Sequence, residues 1–227
     1  MARRHPTHGA TAHPKFRSVG VPAATLIALN VVLMYLVAMT PLAAVSGVAF
    51  STPIVGLLVF GAALTAGNYL AERGLESGEV ALAFAGTALL EVTYGVLGGG
   101  ILATVAAGSR ALALGATLVV TVAMTLGIAA YVYVRDGTYD HWNRWSLGAF
   151  VVGAVLVLVG TFVTPVLLGG FLFVFAGFTL RLGYEIWKVR DRYSADRSLI
   201  HALGIYVAFT GVFVHVLQLV VRLFAER

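Results

Sequence analysis

The chain has 227 residues, of which 59% are hydrophobic and only 11% charged, and its formal net charge is +5. A soluble domain carries about 25% charged residues, so the composition excludes an ordinary soluble domain and predicts an integral membrane protein surrounded by the lipid bilayer. The absence of Cys excludes disulfides, cysteine metal sites and cysteine nucleophiles. In a membrane protein the basic excess reports topology rather than nucleic-acid binding.

Seven apolar runs follow a polar tail. Residues 1–17 are predicted to be a cytoplasmic N-terminal tail, and residues 18–227 a single seven-span transmembrane domain. The first run exceeds the roughly 7–15 apolar residues of a secretory signal, so we expect it to remain as a span. Each run approaches or exceeds the roughly 20 residues that a helix needs to cross the membrane core. The runs are residues 19–45, 53–70, 80–106, 111–134, 145–163, 166–187 and 198–224.

The links between these runs predict the orientation. Residues 72–79 form a hydrophilic link, and Thr164 and Pro165 are predicted to form a very short turn. With the N-terminus inside, eleven Lys and Arg residues fall in cytoplasmic segments and two, Arg110 and Arg227, fall outside. Because positive residues concentrate on the cytoplasmic side, the bias predicts an odd number of spans in a multi-pass cell-membrane protein with a cytoplasmic N-terminus.

The last run carries its small and polar residues on one helical face, because they recur at steps of three and four. Hydrocarbon offers such residues no partner, so this face must contact protein or water. The pattern predicts an all-α seven-helix bundle with the last helix inside it. A simpler interpretation is that the small residues permit close packing and the histidines are core residues. The members are His201, Gly204, Ala208, Gly211, His215, Gln218 and Arg222.

Four ionisable side chains within the runs are candidates for an ion pathway or for pH sensing. A charge at mid-membrane costs about 2.5–3.5 kcal/mol on insertion scales. Glu91 is either a proton or cation site or a structural carboxyl, with Asn30 and Thr121 as its predicted partners. Arg181 and Glu185 are four residues apart and can pair along one face, and the fourth candidate is His215. Arg222, near the end of the last run, is predicted to extend to the interface.

Other chemistries fit poorly. A retinal protein needs a Lys in its last span, whereas the two lysines are Lys15 and Lys188. No metalloprotease-like His pair occurs, so we expect no enzyme activity and no cofactor, and leave metal binding undecided. The glycines at 98–100 follow no predicted strand, so we expect them to permit tight packing or a break in the third run rather than to form a phosphate loop.

The C-terminal third resembles the transmembrane Bax-inhibitor-motif family of YccA-like membrane proteins. The sixth run ends in Gly183-Tyr184-Glu185, where the family typically has Tyr-Asp, and the last run matches the family pattern at Ala202-Leu203, Ile205-Tyr206, Val212-Phe213 and Arg222-Leu223. The short turn after the fifth run and the seven-span layout are also similar. The resemblance implies a bundle whose last helix is central.

The resemblance also implies a calcium or cation leak that is regulated by pH through two acids. Glu185 stands at the first acidic position, but Ala208 and Gly211 occupy the second acid and a following Asn. The expected function is therefore a leak of calcium or protons with an incomplete acid pair, in which His215 is a candidate replacement and Ala208→Asp should restore the pair. The alternative is a non-conducting scaffold or regulatory subunit that binds other membrane proteins, with hydrolase activity a distant third.

Overall fold

The computed structural model describes residues 16–49 and 52–225. These residues form helices joined by short links, and no strand occurs among them. The predicted tail lies almost wholly outside the described residues. After a π-helical turn at Phe16–Gly20, the helices are α1 Val21–Ala38, α2 Ala43–Ala49, α3 Pro53–Ser77, α4 Val80–Ala103, α5 Arg110–Val134, α6 His141–Gly160, α7 Thr164–Asp191 and α8 Ser198–Ala225.

Seven of these helices, all except the short α2, are long and apolar enough to cross a membrane. The predicted all-α architecture with seven spans is therefore confirmed. The helix α8 is central, because 78% of its most apolar stretch is buried against at most 28% in any other span. The residues Tyr206, Val212 and Leu217 of α8 are completely buried, so this helix contacts its neighbours on more than the polar face.

The first span is shorter than predicted. We expected a single helix to Val45, but α1 ends at Ala38 and a turn leads into α2. Pro41 lies in that turn, and proline lacks the N–H that would continue the helix and restricts the residue before it. Apolar composition alone therefore overestimated the length of this helix.

The second span is longer than predicted. We assigned residues 72–79 to a link, but α3 continues through them to Ser77 and ends before Gly78, whose φ of 76° is left-handed. The last turns stay helical because their small residues are buried against α4: a Cβ on Gly74 would lie 2.2 Å from the Ala83 nitrogen. The charged side chains of these turns project from the opposite side.

The turn between the fifth and sixth spans also lies earlier than predicted. We placed it at Thr164 and Pro165, but both belong to the first turn of α7, and residues 161–163 join the helices. Proline is favoured at this position because the first helical N–H groups have no partner within the helix.

Glycines bring α4 close to its neighbours. A Cβ on Gly86 would lie 2.2 Å from the Ala71 nitrogen, and one on Gly98 would lie 2.5 Å from the sulfur of Met34. The predicted tight packing around residues 98–100 is confirmed, while the predicted alternative, a break, does not occur because α4 is continuous there. Close backbone contact through small residues is the usual way in which membrane helices associate.

Hydrogen bonds and ion pairs define two ends of the bundle. At one end, Ser18 bonds Tyr193 at 2.8 Å, and Arg197 pairs with Glu76 at 2.5 Å. We call this the basic end, because most Lys and Arg residues of the links lie there. At the opposite end, Arg110 donates to the carbonyl of Ala38 at 2.7 Å. The alternation agrees with seven antiparallel spans.

Candidate functional sites

A polar cluster lies at the centre of the bundle, around Glu91 of α4. The side-chain nitrogen of Asn30 in α1 donates to Glu91 Oε2 at 2.7 Å and to the Glu91 carbonyl at 3.0 Å. The predicted partner Asn30 is therefore confirmed. Thr121 is not the partner, because its hydroxyl donates to the Thr117 carbonyl in its own helix at 2.9 Å.

The central helix completes this cluster. The hydroxyl of Tyr206 lies 3.3 Å from Asn30 Nδ2, and Tyr206 is completely buried. Tyr94, one turn along α4 from Glu91, donates its hydroxyl to the Val207 carbonyl of α8 at 2.9 Å. The rings of Tyr94 and Tyr206 meet edge to face at 6.2 Å. We call Asn30, Glu91 and Tyr206 the core triad, since it joins α1, α4 and α8.

A second cluster surrounds Glu185 near the basic end. This carboxylate is completely buried and lies between two cations of its own helix: Lys188 Nζ donates to Oε2 at 2.9 Å, and Arg181 Nη2 lies 2.7 Å from Oε1. Both cations also lie over the ring of Tyr184: Arg181 Cζ is 5.5 Å and Lys188 Nζ is 5.4 Å from the ring centroid. Arg181 also donates to Asn143 of α6 at 2.8 Å. Two cations on one buried acid give this Glu185 cluster a net positive charge.

The residue of α8 that faces Glu185 is Gly204. A Cβ at Gly204 would lie 2.6 Å from Glu185 Oε2 and 2.7 Å from its carboxyl carbon. Ala208, the position that the resemblance assigns to the second acid, lies one turn further along and is completely buried. Gly211 lies beneath a different side chain, Phe178, whose ring carbon Cδ1 would be 2.1 Å from an added Cβ. The carboxylate thus packs against bare backbone.

His201 begins the buried face of α8. Its ring stacks on Tyr193 at 6.2 Å, and its side chain is buried. This environment resembles that of a core residue more than that of a ligand. No group of three or more His, Asp or Glu residues within 16–49 and 52–225 is arranged to hold a metal ion.

The third site is a cavity of about 670 Å³ at the opposite end of the bundle. It lies between α3, the α6–α7 hairpin and α8, and most of its wall is apolar. Three residues of the polar face of α8 line it: His215, Gln218 and Arg222. Cavities of about 300–1,000 Å³ with apolar walls and a few polar groups are typical small-molecule sites. We call this site the rim cavity.

His215 is held at the cavity wall by its own helix and by α7. It is 8% exposed, and its Nδ1 lies 2.8 Å from the Gly211 carbonyl. A carbonyl only accepts hydrogen bonds, so Nδ1 carries a proton and Nε2 of a neutral ring is an acceptor. The imidazole lies against three aromatic rings at 5.0–5.9 Å, those of Phe171, Phe175 and Phe178.

Glu91, Glu185 and His215 do not share the rim cavity. Glu91 and Glu185 are absent from the lining of the rim cavity. They contact α8 at Tyr206 and Gly204, which are two residues apart and so project about 200° apart around the helix. The helix α8 therefore stands between them. His215 is nine residues beyond Tyr206, a rise of about 14 Å.

Sequence analysis missed three contributors to these sites. Lys188 was rejected as a Schiff-base residue and counted only among the cytoplasmic positive charges. Asn143 and Tyr206 were given no site role, although each of the three contacts a predicted residue. The i,i+3 spacing of Glu185 and Lys188 was a usable signal. Nothing in the sequence placed Asn143 beside Arg181, since that contact depends on how α6 and α7 pack.

The fold and these sites define the class of the protein: it is a multi-pass helical membrane protein, and residues 16–49 and 52–225 contain seven helices long and apolar enough to span a membrane. No protein-family model, curated protein or solved structure matches the chain.

Proposed function

We propose that the protein is a non-conducting membrane binding protein, a helical scaffold whose rim cavity receives a ligand. One observation carries this proposal: Glu91, Glu185 and His215, the titratable candidates for an ion pathway, lie in three separate sites. A continuous ion pathway needs polar groups or water along its length, because an ion in hydrocarbon is unstable. Here α8 separates the Glu185 cluster from the core triad, and both are engaged by protein side chains.

The second candidate is a Bax-inhibitor-type leak of calcium or protons that is closed in this conformation. The observation that favours it is the complete burial of Glu185 against the central helix, at the end predicted to be cytoplasmic. Release of Glu185 from Arg181 and Lys188 would be the opening step. In this reading Ala208→Asp adds a second acid one turn from the contact at Gly204.

Flux in liposomes separates the two candidates. We expect purified wild-type protein to add no calcium or proton flux to that of empty liposomes between about pH 5 and 8, the range in which His and perturbed carboxyls titrate. Ala208→Asp and Glu91→Gln should be equally silent. A wild-type flux that changes with pH and is altered by Glu185→Gln would instead establish the leak, and a flux unaffected by Glu185→Gln would move the test to His215.

A further inference from the structure

The rim cavity is built to distinguish the two ends of a ligand. One end of it lies where two long helices begin: Thr52 and Pro53 stand at the start of α3, and Thr164 and Pro165 stand at the start of α7. The N-terminal ends of helices carry partial positive charge. Arg222 of α8 also lines the cavity. Together with the two helix starts it favours an anionic group at this end of the cavity.

The inner part of the cavity has different chemistry. The walls are formed by side chains such as Leu57, Phe60 and Val174, which favour an apolar body. His215 is the polar side chain that is more than nine-tenths buried in this wall. Because its Nδ1 is bonded to Gly211, its Nε2 is the atom that can meet a ligand, and it offers an acceptor to a hydroxyl group.

The spacing of these anchors sets the length of the ligand. His215 and Arg222 are seven residues apart on α8, which corresponds to two turns and about 10 Å along the axis. Gln218 lies between them on the same face and lines the same cavity. A ligand that contacts both anchors must therefore extend along α8, with its two polar ends separated by an apolar chain.

We propose that the rim cavity binds a single-chain amphiphilic carboxylate, with its carboxylate at Arg222 and a hydroxyl of its far end at His215. One guanidinium matches one carboxylate through two parallel hydrogen bonds, and the cavity volume suits a ligand of small-molecule size. This inference rests on the proposed binding function and names the class of its ligand.

The first experiment compares probe ligands on the full chain in lipid nanodiscs by equilibrium dialysis, with empty nanodiscs to subtract partition into lipid. We expect saturable binding of ω-hydroxydecanoate, and binding of decanoate that is about three- to tenfold weaker, the equivalent of one hydrogen bond. Decyltrimethylammonium, with the same chain and a cationic head, should show no saturable binding. Equal binding of the cation, or no saturable binding of either carboxylate, would overturn the proposal.

The second experiment tests the two anchors. Arg222→Gln should weaken binding of both carboxylates about tenfold or more, since it removes a charge-assisted pair. Arg144→Gln, which removes an exposed arginine from the basic end, is the matched control and should bind as wild type does. His215→Phe should abolish the preference for the hydroxyl.

A third variant keeps the test valid if His215→Phe does not fold, as judged by size-exclusion chromatography. Leu57→Trp fills the cavity from α3 without changing either anchor, and it should abolish saturable binding of both carboxylates. Wild-type affinity in Arg222→Gln or in Leu57→Trp would contradict the site. Ion flux is measured without ligand, so a conducting wild type would refute the non-conducting function while leaving these affinities to decide the ligand.

Discussion

Asn30 supplies a hydrogen bond that stabilises Glu91 inside the bundle, and its removal should be costly. We expect Asn30→Leu to lower the free energy of unfolding by about 1–3 kcal/mol, because a buried carboxyl loses one of its two side-chain hydrogen-bond partners, Asn30 and Tyr206. Thermal or denaturant unfolding in detergent measures this. Asn68→Leu, at a half-buried position of α3, should change stability by less than about 0.5 kcal/mol.

A double variant tests whether the cost arises from the unsatisfied group. Replacing both partners by apolar residues is often nearly neutral, so Asn30→Leu combined with Glu91→Leu should be more stable than Asn30→Leu alone. Glu91→Gln should retain the fold, since it preserves the shape of the side chain. A double variant that is less stable than the single variant would show that Asn30 acts through other contacts, such as that with Tyr206.

Gly204 is the residue whose small size admits Glu185. We expect Gly204→Ala to destabilise the protein by about 1–3 kcal/mol. The added Cβ would overlap the carboxylate of Glu185, which Arg181 and Lys188 already hold in place. Gly115→Ala is the matched control: Gly115 is a helical glycine with no atom within 4 Å of its added Cβ, and alanine favours a helix by up to about 1 kcal/mol. If both variants unfold alike, the close contact at Gly204 has no energetic importance.

Only part of this residue-level detail could be predicted from the sequence. A mid-membrane carboxyl requires a donor from another helix, and Asn30 is the carboxamide of the first span, so that pair was accessible. The residue of α8 that contacts Glu185 could not be predicted. Glu185 contacts Gly204, one turn from Ala208, and a shift of one turn depends on the axial position of α7 against α8. The rim cavity was equally inaccessible, since it lies between helices that are distant in sequence.

At the scale of one helix, Arg190 caps the C-terminal end of α5. Its guanidinium, carried by α7, donates to the carbonyls of Val132, Arg135 and Gly137. Terminal carbonyls have no partner within their own helix, and a charged donor contributes about 1.5–3 kcal/mol per hydrogen bond. We expect Arg190→Gln to lower the free energy of unfolding by at least this amount and to speed proteolysis within residues 135–140.

The control for this prediction is Arg197→Gln at the same end. Arg197 pairs with Glu76, but the side chain is 56% exposed, and such surface pairs contribute at most about 1 kcal/mol. In Arg197→Gln, proteolysis of residues 135–140 should be as slow as in the wild type. Equal proteolysis of the wild type and Arg190→Gln would show that the link is held by other contacts, for example the tilted ring contact of Tyr139 with Trp142 at 4.6 Å.

Helix ends were less predictable than helix existence, and the reasons are local. The run from Val19 to Val45 remained apolar across the turn at Pro41, so hydropathy gave no sign of where α1 ends. Conversely, Glu72, Arg73 and Glu76 interrupted the apolar pattern although the buried Gly74 keeps α3 helical. In the sequence, Pro41 as a helix breaker and Gly78 as a typical residue after a helix C-terminus were the signals that could have located both ends.

At the scale of the whole molecule, the burial of α8 follows only in part from its sequence. Its polar and small residues predicted contact with protein on one face, and the structure surrounds the helix almost completely. The remaining faces are formed by Val, Leu and Phe, which are equally suited to lipid and to protein. Their burial therefore could not be derived from composition; it follows from the packing of α1, α3, α4, α5 and α7 against this helix.

The orientation of the bundle in the membrane is the last prediction. The tail and links of one side carry eleven Lys and Arg residues, and those of the other side carry two. This bias predicts that the basic end is cytoplasmic. The chain has no Cys, so single cysteines report position without background. We expect a membrane-impermeant maleimide to label His8→Cys, Ser77→Cys and Thr138→Cys only in inverted vesicles, and Gly108→Cys, an exposed residue of the opposite end, on intact cells. Labelling of positions 8 and 138 from different sides would contradict seven spans, and complete reversal would show that the charge bias does not orient this chain.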